Sequence, residues 1–295
     1  MVNYLLGKGH EVFFDFYDNL KDRSLIKDID VIFLIDPRPG DIGYSINHAI
    51  YYKSKVNPKV KIIHRVNECD ARKNSDFMDK LLVETSSHTD KTIFISEWLK
   101  EYFVEKGFKN ASKAKVIYNG CNLDYFFPKK NESNSKKIRI VTHHWSDNWM
   151  KGFDLYKFID EEIVGEDFEF TYVGRYNKDY KPNKTNLVNP LWGPELGKEL
   201  RKHDVYVTAS RFEPCGMHHI EGAASGMPVI YHKDCGGINA LCKKHGEEYT
   251  DFLSFKQKLS LVCENIKDYQ NKIVYSDLDI EKCCEKFYEE IMSVL

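Results

Sequence analysis

The sequence predicts an α/β protein built from two doubly wound parallel sheets, and three observations carry this. Short apolar runs alternate with helix-period segments through both halves of the chain. A polar, helix-poor stretch from Phe126 to Lys137 (F-F-P-K-K-N-E-S-N-S-K-K) separates the halves as a solvated connector. From Asp204 to Tyr231 the order is strand, Gly/Pro-bearing loop, helix, Ser-Gly stop and strand. That is the crossover a parallel sheet requires.

In the first half the strand candidates are Glu11–Phe16, Val31–Ile35, Val60–Ile63, Thr92–Ile95 and Lys115–Tyr118. Helices are expected over Ile46–Lys55, Phe77–Ser87 and Glu97–Lys106, the last with Ser96 as N-cap and Gly107 just past its end. The second half repeats the scheme. Strands are expected at Ile138–Val141, Phe168–Val173, Val205–Val207 and Val229–Tyr231, with helices at Phe153–Ile163, Glu195–Lys202 and around Glu221. Phe255, Leu259, Val262, Ile266 and Tyr269 recur at four-three-four-three spacing, one amphipathic helix. Ile280, Cys284, Phe287, Ile291 and Val294 form another at the C-terminus.

Composition limits the function. At 295 residues there is room for two domains, and a net charge of −2 gives no electrostatic footprint for nucleic acid. Eight cysteines without a C-x-x-C pair read as reduced, mostly buried thiols of a cytoplasmic protein. No apolar run reaches bilayer-spanning length, and the start (M-V-N-Y-L-L-G-K-G-H) is too short and mixed for a secretory leader. D-I-D at Asp28–Asp30 and D-L-D at Asp277–Asp279 read as element ends rather than metal ligands, so no metal site is expected.

The richest segment is Ser210–Gly226, S-R-F-E-P-C-G-M-H-H-I-E-G-A-A-S-G. It sets Glu213 in a loop and Glu221 on the following helix, where loop and helix N-terminus open at the carboxyl edge of the sheet. Free amides around Gly216–His218 suit an anion such as a phosphate. Two acids beside a phosphate are costly unless they bind hydroxyls, which points to a ligand combining sugar and phosphate. The bland reading is an ordinary buried crossover helix with two solvated acids.

This segment resembles the E-x7-E signature of retaining glycosyltransferases of family 4, with Ser210, Pro214, Gly216, Ala223-Ala224 and the S-G-M-P-V-I exit also matching. The resemblance implies the GT-B architecture: two Rossmann-like domains facing a cleft, here 1–128 on the acceptor side and 129–278 binding nucleotide sugar. The helix of 279–295 would cross back to the first domain. It implies a metal-independent enzyme with no cofactor, moving a sugar (as a hexosyltransferase) from a nucleoside diphosphate sugar to a hydroxyl acceptor. The acceptor would be a glycan, a lipid-linked or a small molecule, with peripheral contact at the inner membrane face left open.

Residue by residue, Lys151 in H-H-W-S-D-N-W-M-K-G-F-D matches the phosphate-binding lysine, while Ser146 stands where the family commonly has Arg. His143, His144, Arg175 or Arg211 remain open as the second positive group. Glu213 would contact the donor sugar and Glu221 the ribose; Gly216, Met217 and Cys215 complete the donor loop, and Gly236-Gly237 match a family glycine pair. His64, ending the strand I-I-H, matches a cleft histidine and joins Glu213 and Lys151 as the catalytic set. Arg65, Asn67, Asp70 and Arg72 form either an acceptor loop or a self-satisfied salt-bridge network; Asp36, Arg38 and Gly40 carry the same ambiguity, and Asn119, which resembles the family's N-G motif, is placed on the acceptor side with them. Family members begin one strand earlier, so the first domain is expected without its first strand. Glu213→Ala or Lys151→Ala is expected to abolish transfer and leave the fold intact. The rivals are a nucleotide-sugar epimerase of the same architecture and a non-catalytic nucleotide-sugar or glycan-binding domain.

Overall fold

A computed structural model describes residues 1–13, 28–38, 44–129 and 136–295. They form two compact units, Met1–Tyr118 with Cys283–Leu295, and Asn119–Lys282.

The first unit runs α1 (Val2–Gly7), β1 (Val31–Leu34), α2 (Ile46–Lys55), β2 (Lys61–Val66), α3 (Asp70–Lys73), α4 (Met78–Ser86), β3 (Lys91–Phe94), α5 (Glu97–Glu105) and β4 (Ala114–Val116). Its four strands are parallel, in the order β1-β2-β3-β4. Ile32, Leu34, Ala49, Tyr52 and Ile62 close one core between β1, β2 and α2. Ser96 Oγ accepts the Leu99 amide at 3.2 Å and Gly107 has φ +96°, so α5 starts and stops where its cap residues specify.

The second unit runs β5 (Ile138–His144), α6 (Phe153–Glu162), β6 (Phe168–Gly174), β7 (Asn186–Val188), α7 (Gly193–Leu200), β8 (Val205–Thr208), α8 (Met217–Ala224), β9 (Val229–His232), α9 (Ile238–Cys242), β10 (Gly246–Tyr249), α10 (Phe252–Glu264) and α11 (Ile266–Asn271). Its sheet is parallel throughout, in the order β10-β9-β8-β5-β6-β7. The core is rich in aromatics, with Phe153, Tyr156, Phe170, Tyr172 and Phe255 fully buried. The last helix, α12 (Ile280–Met292), lies from Cys283 onward in the first unit. There Phe287 meets Phe33 at 5.8 Å between centroids, and Glu290 pairs with Lys91 at 2.5 Å.

Several sequence expectations change. Glu11–Phe13 form no strand; the rest of that run and Gly40 lie outside the described residues, as do 130–135 of the connector. The long helix through Tyr269 is two helices broken at Asn265, and β7, β10, α3 and α9 are additions.

Candidate active site

The strand order fixes where a ligand can enter. From β5 the chain winds outward through β6 and β7, then returns to lay β8 against the opposite side of β5. Loops leaving the carboxyl ends of β5 and β8 therefore diverge at a topological switch point, where doubly wound sheets bind ligands. Those are the loops carrying Lys151 and Glu213.

Lys151 closes a short 3-10 turn, Trp149–Lys151, ahead of α6. Gly152 follows with φ +87°, and a Cβ there would lie 2.1 Å from Ala209 Cβ, so only glycine lets the β5 loop press on the β8 loop. The result is a buried ion pair: Lys151 Nζ to Glu213 Oε2 at 2.7 Å, with side chains 8% and 9% exposed. Glu213 is held by its backbone too. Its carbonyl accepts the Gly237 amide at 2.8 Å, and a Cβ on Gly236 would come within 2.6 Å of that oxygen. The preceding Phe212 carries a positive φ of 50°, strain placed beside the acid.

Helix α8 starts at Gly216 without a side-chain cap, leaving its first amides for a ligand. Ser210 Oγ in the same loop is buried with no hydrogen-bond partner among the described residues. On the next turn Glu221 Oε2 meets His143 Nε2 at 2.8 Å. The two histidine pairs, separate in the sequence, form one cluster. Ring centroids are 4.7 Å apart for His144–His218, 5.3 Å for His218–His219 and 6.3 Å for His143–His218. Burial, reinforced by His144 and Lys151, holds His218 well below its usual pKa, and burial takes His219 down to about 3. The His218 and His219 rings stay neutral. The sequence shows two adjacent pairs, His143-His144 and His218-His219, and carries no signal for the cross-strand partners that join them.

The remaining donor-side residues fall nearby or beneath. His144 is buried, its Nε2 2.7 Å from the Tyr156 hydroxyl, so it packs under the loop. Ser146 Oγ accepts the Asn148 amide at 3.2 Å. Arg211 pairs with Asp154 at 2.6 Å. Arg175 is exposed and lays its guanidinium 4.3 Å over the Trp145 ring, which stands edge-on to Trp192 at 6.4 Å. Cys215 is buried and its carbonyl accepts Asn119 Nδ2 at 2.7 Å, which brings Asn119 to the donor loop.

In the first unit, His64 sits at the carboxyl half of β2, fully buried, with neither ring nitrogen hydrogen-bonded among the described residues. Burial lowers its pKa to about 4. Arg65 lies 5.9 Å over the Phe287 ring, and Asn67 follows in the loop before α3. Asp70 resolves part of the ambiguity left by the sequence. Its carboxylate accepts the Met78 and Asp79 amides at 3.0 and 2.9 Å and the Ser75 hydroxyl, while Asp79 returns a bond to the Asp70 amide at 2.8 Å. It holds the start of α4, a self-satisfied network. Arg72 lies on α3 in the same polar segment. An open depression of ≈ 860 Å³ borders this network and contains no donor-side residue. Among the described residues no group of three metal-ligating side chains forms, and no helix is long and apolar enough to cross a membrane.

Residues 141–273 match the family described as "Glycosyl transferases group 1". A glycogen synthase of Kosmotoga olearia is 27% identical over 147 residues, covering 43% of this chain and 30% of its own. The Escherichia coli UDP-Gal:alpha-D-GlcNAc-diphosphoundecaprenol alpha-1,3-galactosyltransferase is 24% identical over 298 residues, 86% of this chain and 77% of its own. Among solved structures, Anabaena HepE in complex with UDP and glucose superposes with a TM-score of 0.67 at 15% identity, covering 90% of this chain and 78% of that one. This chain thus spans under a third of the glycogen synthase it matches. The GT-B type of fold expected from the sequence is borne out by these neighbours and by the two parallel sheets. Across 141–273 the matches support the group 1 glycosyltransferases; the E-x7-E subfamily is a finer statement than they carry.

Proposed function

We propose that this chain is a retaining, metal-independent glycosyltransferase that moves a sugar from a nucleoside diphosphate sugar to a hydroxyl acceptor. One observation carries the reading: Lys151 and Glu213, 62 positions apart, meet at 2.7 Å beside the uncapped start of α8, at the switch point of the sheet. A cation, helix amides and a carboxylate in one place suit a diphosphate joined to a sugar.

In this scheme the donor diphosphate takes its place against Lys151 and the α8 amides, and Lys151 shares its charge between phosphate and Glu213. Glu213 accepts hydrogen bonds from donor-sugar hydroxyls, and Glu221 from the ribose. Departure of the diphosphate breaks the bond from C1 of the sugar to the phosphate oxygen. The acceptor oxygen forms the new C1–O bond on the same face, and its proton passes to the departing phosphate oxygen. Positive charge fixed at the phosphates stabilises that departure. His64, Arg65, Asn67 and Arg72, at and after the carboxyl end of β2, are the candidates for acceptor contacts. Nucleotide-sugar use and lipid-linked or glycan acceptors agree with what the names of the E. coli and Anabaena proteins state of those proteins.

The test is a thermal-shift screen against UDP-, GDP- and ADP-sugars, followed by product analysis of the stabilising donor with hydroxyl acceptors. Transfer with the anomeric configuration kept is expected. Donor converted to an isomer without an acceptor would instead identify an epimerase, and stabilisation with neither transfer nor hydrolysis a binding domain.

A further inference from the structure

His143 stands in the second unit between a residue the proposed function uses and one it does not. Strand β5 places its backbone amide 3.2 Å from the hydroxyl of Tyr206 on β8, and its ring Nδ1 lies 3.1 Å from the same oxygen. The other ring nitrogen, Nε2, is 2.8 Å from Glu221 Oε2 on α8. Tyr206 is fully buried and His143 is 8% exposed, so the bonds between these two form out of water.

The geometry sets the direction of each bond. Burial pushes the Tyr206 hydroxyl well above its usual pKa, so it keeps its proton. That oxygen accepts the His143 amide and has the Thr142 hydroxyl beside it; on His143 its own proton finds Nδ1 at 3.1 Å and the carbonyl at 3.5 Å. The nearer is Nδ1. An imidazole that accepts at Nδ1 in its neutral form carries its proton on Nε2, and that N–H faces the carboxylate. The neighbouring ring of His218 is neutral through burial.

We propose that His143, set in its Nε2–H tautomer by Tyr206, is a positioning residue for donor recognition: it fixes one oxygen of Glu221 so that the other meets the ribose hydroxyls. This rests on the reading of Glu221 given above. Without the relay the carboxylate turns about its terminal bond, which is a broad, soft torsion, and ribose discrimination falls.

The test is calorimetric titration of the whole chain with UDP, GDP and ADP, then with the 2′-deoxy counterpart of whichever binds. The wild-type chain is expected to prefer the ribonucleotide by about tenfold, the range of one hydrogen bond to a charged group. Glu221→Ala should bring the ratio to about one, and His143→Ala to within about threefold. His143→Gln, whose amide N–H reaches about as far as Nε2, should restore most of it. Loss of general structure would not be rescued in this pattern. Nitrogen-15 NMR should show the Nε2–H tautomer in the wild type and a mixture in Tyr206→Phe. Should His143→Ala fail to fold, Tyr206→Phe, which removes a single oxygen, carries the test with the same expected fall. An undiminished ribose preference in a folded His143→Ala or Tyr206→Phe overturns the inference alone. A wild-type chain that binds none of the three nucleotides overturns the reading of the site, and the inference with it.

Discussion

Replacing Lys151 by Met tests the core of the site and separates its two roles. Both partners of the Lys151–Glu213 pair are more than nine-tenths buried and 2.7 Å apart. An exposed pair would contribute about 0–1 kcal/mol. A buried acid that loses its cation is costly, and breaking such pairs costs about 3–5 kcal/mol. Lys151→Met keeps the length of the side chain, so the loss comes from the charge. At about 2–4 °C per kcal/mol for a chain of this size, the midpoint should fall by about 10 °C. Glu213→Gln should cost a comparable amount by stranding the ammonium. The double variant buries neither charge and should cost clearly less than the sum of the singles, with a coupling of about 2 kcal/mol. Urea melts of the four proteins give the cycle. Additivity within about 0.5 kcal/mol would refute the buried pair. The sequence alone suggested that such substitutions spare the fold; the ion pair revises that expectation, so activity loss must be measured where each variant remains folded. Transfer at the wild-type rate by folded Lys151→Met would refute the catalytic assignment.

Two further outcomes follow from the geometry. Gly152→Ala places a methyl 2.1 Å from Ala209 Cβ at φ +87°, so a stability loss of about 3 kcal/mol or more is expected in denaturant melts; a loss below about 1 kcal/mol would refute the tight contact of the two loops. Buried His64, His203 and His245 have pKa values lowered to about 4, with burial the leading cause in each. Between pH 6.5 and about 4 the unfolded chain takes up protons that the folded chain refuses. Stability therefore falls as pH drops through that window and is unaffected above it, by about 2 kcal/mol per histidine at pH 5. Melting temperatures from pH 7.5 to 4.5 check this, and a flat profile would refute it.

Much of the fold was legible because parallel strands are buried on both faces and read as unbroken apolar runs. Val205–Thr208 and Val229–His232 are buried along their whole length. The strands left unread have another physics. Asn186–Val188 and Gly246–Tyr249 lie at the two edges of their sheet and carry polar residues, so no apolar run marks them. At the site, the acids and the lysine announced themselves through Gly- and Pro-bearing loops after strands. Their pairing did not, because it depends on β8 returning beside β5, a topological fact invisible in local spacing. Asp70 marks a choice the sequence left open: its dense polar cluster read equally as a ligand loop or a self-satisfied network, and its carboxylate caps a helix eight residues onward. Tyr206 and Tyr156 carried no signal at all. Buried tyrosines read as packing, and only the placement of β8 and α6 against β5 shows their hydroxyls reaching His143 and His144.

Indole placement gives the molecule a built-in optical reporter. Of four tryptophans in the chain, Trp145, Trp149 and Trp192 stand on loops at the rim where β5 and β7 end, and Trp98 alone lies in the other unit. All three rim indoles are partly open to solvent, and Trp145 already lies under a guanidinium. Emission from this protein is therefore weighted toward the loops that follow β5 and β7, and changes in their hydration or stacking register as spectral shifts without any attached dye.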